Sequence, residues 1–253
     1  MGIAFHRTVL TCISVALLVL LLPVNGFSAN FSLNPIRVYF DGSSKTNILS
    51  ITNNSDENIS VQLRAYAWSQ NEKGENIYDL TKDIVFFPKI ANIKKGEKKI
   101  VRLGTRVPQG RQEKTYRLYI EEIPNPKKSD NTAVNIVMKI GVPIFLAPVT
   151  VEPKGLVEGM NLDEGSLHAK LINAGNVHFI MRAINVSGRN DAGEEIFREK
   201  IGGRYLHSGN SKDITMNIPQ ESCVNMKTLD LEMNTDKLTL REKIDVTREM
   251  CRL

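Results

Sequence analysis

Between Val134 and Leu146 every second residue is apolar: Val134, Ile136, Met138, Ile140, Val142, Ile144 and Leu146. Such alternation places one face of a β-strand against apolar material. Its length exceeds the usual strand of about 5–6 residues. The rest of the chain after residue 29 follows the same period in shorter runs, each bounded by turn-forming clusters. "PIRVYFDGSSKTNILSITNNSDENISVQLRAYAW" predicts three strands, separated at Asp41–Gly42 and Asn53–Asn58, residues that tolerate left-handed backbone or form Asx-turns. Further strands are predicted on either side of Pro88, over Lys98–Leu103 and over 113–124. "PNPKKSDNT" (124–132) has no large apolar residue and predicts a loop joining the 113–124 strand to the long one.

After Pro148 a breaker-rich segment, "VTVEPKGLVEG", predicts a hinge, and a second series of alternating runs follows it. No segment sustains a 3.6-residue period, so little helix is expected. Two successive series of about seven short strands predict an all-β chain of two immunoglobulin-like β-sandwiches. Their expected limits are 30–150, with the long strand, and 151–253. The Cys…Trp…Cys spacing of antibody domains is absent.

Residues 1–29 stand apart. His6 and Arg7 precede an uncharged, largely apolar run from Thr8 to Leu22, then Pro23 and small residues. The run is shorter than the ~20 residues of a membrane span, and the pattern predicts a secretory signal peptide. No later stretch is suited to cross a bilayer as a helix, so stable membrane insertion is not expected. Losing residues 1–29 removes Arg7 and no acid, so the formal charge falls from +5 to +4. With one Trp and no aromatic-interleaved basic patch, nothing points to nucleic acid. Cys12 lies in the leader; Cys223 and Cys251 remain, and an exported chain favours a disulfide between them.

Candidate chemistry is sparse. The sequence lacks G-x-S-x-G, H-E-x-x-H, P-loop and G-x-G-x-x-G motifs. His168, His178 and His207 have no partner at an informative spacing, the methionines do not cluster, and no metal or cofactor site is expected. A binding function is left. Apolar residues repeated along one face of an edge strand invite aggregation in water, unless another chain takes them by β-strand addition. The competing reading is an ordinary sandwich strand, bulged near Gly141–Pro143, in a secreted structural or adhesive protein.

Several segments together resemble the periplasmic chaperones of the chaperone–usher pilus pathway. "IRVYFDGSSKTNILSITNNS" resembles that family's first two strands. "IVFFPKIANIKKGEKKIVRL" and "QGRQEKTYRLYIEEIP" resemble its middle strands, with Glu122 the Glu of "E-I-P". "GVPIFLAP" resembles the strand end before its hinge, and "INAGNVHF" its second-domain "N-x-G-N" turn. The resemblance implies two immunoglobulin-like domains in an L-shape, no catalysis, and a periplasmic protein. Such a protein lends its long strand to a pilin subunit lacking its last strand, then passes the subunit to an outer-membrane usher. The residues lent would be Val134, Ile136 and Met138, flanked by Thr132 and Ile140. The same exposed residues would let two copies cap each other. The family anchors its client's C-terminal carboxylate with an Arg and a Lys in the interdomain cleft. Arg37 matches the Arg; the Lys position aligns with Pro143, leaving Lys139 as the substitute, and the family's strand-end Arg aligns with Ala147.

Overall fold

In the computed structural model the described residues are 31–71, 74–124 and 137–252. The expected leader, the 125–136 segment and the donor positions Thr132, Val134 and Ile136 lie outside them. The fold is 61% strand and 4% helix.

Ten strands form the first sandwich: β1 (Phe31–Asn34), β2 (Val38–Phe40), β3 (Thr46–Asn53), β4 (Ile59–Gln70), β5 (Asn76–Leu80), β6 (Ile84–Phe87), β7 (Ile90–Ile93), β8 (Lys98–Thr105), β9 (Lys114–Ile123) and β10 (Lys139–Leu146). One sheet has the order β1-β3-β8-β6; the other runs β2-β10-β9-β4-β5, with β7 also paired to β4. The period-2 pattern explains the packing. In β4, Ile59, Val61, Leu63 and Ala65 are buried while the residues between them are half-buried or exposed. They close a core with Leu49, Ile51, Val101, Leu103, Leu118 and Ile120 from the neighbouring strands.

The second half contributes β11 (Gly155–Asp163), β12 (Ser166–Asn173), β13 (Phe179–Arg189), β14 (Glu195–Gly202), β15 (Tyr205–Leu206), β16 (Ser211–Asn217), β17 (Thr228–Thr235) and β18 (Thr239–Asp245). Its sheets have the orders β11-β12-β16 and β14-β13-β17-β18, with β15 also paired to β13. Leu167, Leu171, Ile184, Val186, Leu229, Leu231 and Met233 fill a separate core. At the break between β14 and β15 a Cβ on Gly203 would sit 1.6 Å from the Met181 carbonyl oxygen, so the chain can pass there only as glycine.

A short helix, α1 (Gln220–Val224), and a 3-10 turn (Arg248–Cys251) bring Cys223 and Cys251 together as a disulfide with a Cα–Cα distance of 5.7 Å. The bond ties the chain end to the second core across a sequence separation of 28.

β10 departs from the bulged strand considered from the sequence. Its pairing with β9 is continuous from Lys139–Glu121 to Leu146–Lys114, with no shift at Gly141–Pro143. The missing Pro143 N–H does not interrupt this ladder. The Glu122 N–H donates to Met138 O (2.9 Å), so the even residues of β10 bond β9 and the odd residues point their backbone groups to the other flank.

Replacing both Cys223 and Cys251 by alanine should lower unfolding stability by about 3.5 kcal/mol, the loop-entropy value for a ring of this size. Urea denaturation of the oxidised protein and the double variant measures it; equal midpoints and slopes would contradict a stabilising bond.

Candidate functional site

β10 lies between β9 and β2, but β2 covers only its last three residues, in parallel register: Ile144–Val38, Phe145–Tyr39 and Leu146–Phe40. Among the described residues, β10 from Lys139 to Pro143 is paired within its sheet on the β9 side alone. The backbone groups on the uncovered flank belong to the odd residues. Lys139 and Gly141 offer both N–H and C=O there, and Pro143 offers only C=O. Burial follows the same gradient. Val142, Ile144 and Leu146 are 0–2% exposed in the first core, whereas Met138 and Ile140 are only half-buried at its margin.

The opposite face of β10 meets the second domain. Phe145 points away from the sandwich core yet is fully buried. His178 stacks on it with ring centroids 3.7 Å apart, and Tyr39, Trp68 and Tyr205 close around it. Tyr205 and His207 both pack edge-on against Trp68, at 5.1 and 4.2 Å. Offset and edge-to-face contacts of this kind each add about 0.5–1.5 kcal/mol beyond the area they bury.

Polar contacts fix the same interface. One Glu113 Oε2 accepts from both the backbone N–H of His178 (2.9 Å) and its Nδ1 (2.7 Å). A carboxylate can only accept here, so Nδ1 carries the proton. The Gln70 amide donates to Tyr205 O (3.0 Å) and accepts from His207 N (3.0 Å). Asn176 donates to Thr150 O (2.7 Å) and Arg111 O (3.0 Å) and accepts from Glu152 N (2.8 Å), clasping the linker. A Cβ on Gly175 would lie 2.5 Å from Glu152 O, so the second-domain "NAGN" turn needs glycine there.

Of the candidate anchors, Arg37 sits in this cleft. It lies immediately before β2, next to Val38, whose partner on β10 is Ile144. Its Nε donates to the Tyr205 hydroxyl (2.6 Å), and that bond holds the guanidinium pKa above its ordinary value. Lys139 is not brought near it. Four residues before Pro143, roughly 13 Å along a strand, Lys139 lies 3.9 Å from Glu121 and over the Tyr119 ring.

Two of the three histidines thus belong to the domain interface, a role their spacing did not signal; His168 is exposed. The available cue was the polar-aromatic cluster "NAGNVHF", which has no meaning until Phe145 and Glu113 are set opposite it. Among the described residues no cluster of His, Cys, Asp or Glu could hold a metal, and no helix is long and apolar enough to cross a membrane.

Residues 30–152 match the family of pili and flagellar-assembly chaperones, PapD N-terminal domain. They belong to that family. Chaperone protein PapD of Escherichia coli is 30% identical over 136 residues, 52% of this chain and 54% of its own length, so the match spans about half of that relative. The chaperone–tip adhesion subunit pre-assembly complex CsuC–CsuE, from the archaic chaperone–usher Csu pili of Acinetobacter baumannii, matches at TM-score 0.60. Identity there is 19%, covering 84% of this chain and 98% of the other. The class 5 fimbriae chaperone CfaA matches at TM-score 0.55 and 15% identity, covering 85% and 98%. These likenesses show the same two-domain immunoglobulin-like fold.

The interface also carries a pH dependence. Burial, with repulsion from His178 and Arg117, pushes the His207 pKa down from 6.5 to about 4. The folded state therefore favours neutral His207. Its contribution is complete above the unfolded value near 6.5 and is lost as pH falls towards 4. Stability should drop across that window by up to about 1.4 kcal/mol per pH unit from this group. Urea melts at pH 7 and pH 4.5 should show a smaller acid loss in His207→Gln than in the wild type; equal losses would contradict the assignment.

Proposed function

We propose that this chain is a periplasmic chaperone for pilus subunits and works by lending a strand. The observation that carries the reading is the uncovered flank of β10 from Lys139 to Pro143, with Met138 and Ile140 half-buried on its core-facing side. An edge of this kind with apolar side chains normally invites pairing with another chain. Here charge is limited to Lys139, and Pro143 removes only the last donor. A pilin lacking its final strand would hydrogen-bond to this flank. It would receive Val134, Ile136 and Met138 in its open core, with Thr132 and Ile140 at the limits of the insertion. Each side chain fully buried in this way contributes about 1.5–3 kcal/mol.

The cleft gives the client a fixed end point. Arg37 is half-buried, and among the described residues only its Nε makes a hydrogen bond, so both Nη groups remain to hold a carboxylate. The client's C-terminus, held at Arg37, would set the register of the paired strands. Delivery to an outer-membrane usher and export by the 1–29 leader complete the proposed role, which requires binding and no bond chemistry.

Co-expression with a candidate pilin tests both parts. Ile136→Asp combined with Met138→Asp should leave the chaperone folded, because Met138 lies at the margin of the first core, and should reduce soluble, co-purified pilin at least tenfold. Undiminished recovery would remove the donor role and favour a sandwich protein that uses these strands only for itself. Arg37→Ala should reduce recovery while the donor strand is intact; unchanged recovery would remove its anchoring role.

A further inference from the structure

His207 belongs to a segment of the second domain that reaches across to the first. It follows the two-residue strand β15, which pairs within its own domain with β13. Gln70, the last residue of β4, ties this segment to the other sandwich. It accepts from His207 N (3.0 Å) and from Asn210 Nδ2 (3.3 Å), and it donates to Tyr205 O (3.0 Å). The His207 ring itself packs edge-on against Trp68 of the same strand.

The ring has no place for a second proton. His207 is only 5% exposed. The Thr115 hydroxyl donates to Trp68 O, so its oxygen faces His207 Nδ1 (3.5 Å) as an acceptor, and the proton of the neutral ring belongs on Nδ1. A further proton goes to Nε2, which is buried and, among the described residues, has no hydrogen-bond partner. A charged donor buried without an acceptor is strongly disfavoured.

The charges around the ring give no relief. Arg117 on β9, and His178 on β13 when protonated, oppose a positive His207. Glu113, immediately before β9, is engaged by His178. Asp83, between β5 and β6, accepts from the Tyr116 hydroxyl (2.9 Å). Lys114 adds a further cation, and Trp68 and Gln70 on β4 carry no charge. Beside the ring lies a pocket of about 370 Å³, lined by Asp83, Glu113, Thr115, Ser208 and Asn210 together with His207, which leaves room for a displaced ring and for water. His178 is the opposite case. Its Nδ1 proton is held by a carboxylate 2.7 Å away, and both side chains are at most 5% exposed.

From this contrast we infer that residues 205–210 form an acid-released latch between the two sandwiches. Protonation of His207 ejects its ring from Trp68 and opens the Gln70 contacts, while the Glu113–His178 pair and the Asn176 clasp on the linker remain as the pivot. Opening also takes the Tyr205 hydroxyl from Arg37, so the same proton alters the cleft. The inference concerns the domain joint and stands apart from the donor-strand reading. The freed ring titrates near 6.5 and the closed one at about 4, so acid favours opening and neutral pH favours closure. At pH 4.5 the opening equilibrium is raised roughly 80-fold over its value at neutral pH.

Residue-resolved amide exchange at pH 7 and pH 4.5, expressed as protection relative to the unstructured rate at each pH, separates latch from pivot. The N–H of residue 207 bonds Gln70, and that of residue 178 bonds Glu113. In the wild type, protection at 207 should fall at least about tenfold at pH 4.5. Protection at 178 should be unchanged, and Leu171 and Leu231 in the second core should stay protected. In His207→Gln and His207→Phe, which take up no proton there, protection at 207 should be the same at both pH values. Gln keeps a polar side chain and Phe keeps an aromatic edge for Trp68, so a folding defect in one variant leaves the other usable. An equal fall at 178 and 207 in the wild type would mean that the joint opens as one body and would overturn the latch. A parallel loss at Leu171 and Leu231 would make the response global unfolding and overturn it as well. No fall at 207 in the wild type, or the same fall in either folded variant, would overturn the role of His207.

Discussion

The structure depends on the unequal pairing of one strand. β10 is bonded along its whole length by β9 but covered on its other flank for only three residues by β2. The covered end places Ile144 and Leu146 in the core of the first sandwich. The uncovered end leaves the backbone groups of Lys139 and Gly141 and the carbonyl of Pro143 directed away from β9. A strand finished on both sides would stabilise the domain and have nothing to offer. A strand open along its whole length would be an aggregation hazard. The short β2 sets the boundary between these two states, and the residue immediately before it is Arg37.

The second domain is built onto the opposite face of the same strand. Phe145, one residue after Ile144, alternates to the outer face, where His178 and Tyr205 bury it. The stack, with the Glu113–His178 and Gln70–Tyr205/His207 hydrogen bonds, couples the position of the second domain to β10. Arg37 and Arg117 stand at the rim of this aromatic cluster, each held by a ring. The cleft is therefore a consequence of strand alternation: even residues of β10 make the first core, and odd residues make the floor between the domains.

Much of this was legible in the sequence. The even-residue alternation marked β10, and the turn clusters divided the chain into short strands. Cys223 and Cys251 form the pair expected of an exported chain. Other features depend on long-range placement. Phe145 sits on the face that periodicity assigns to solvent, and only the second domain makes it core. His178 and His207 gain partners, Glu113 and Trp68, that are distant in sequence. Reading along β10 alone made Lys139 the nearest spare cation. Pairing across strands instead sets Lys139 against Glu121.

The central claim is that the flank of β10 from Lys139 to Pro143 is free to pair with an incoming strand. Amide hydrogen exchange resolved at single residues tests it directly, because the N–H groups of Lys139 and Gly141 point to that flank while those of Ile140 and Val142 bond β9. The account predicts fast exchange at Lys139 and Gly141 in the free chain, slow exchange at Ile140 and Val142, and strong protection of all four once a candidate pilin is bound. Equal protection of all four before any client is added would contradict it.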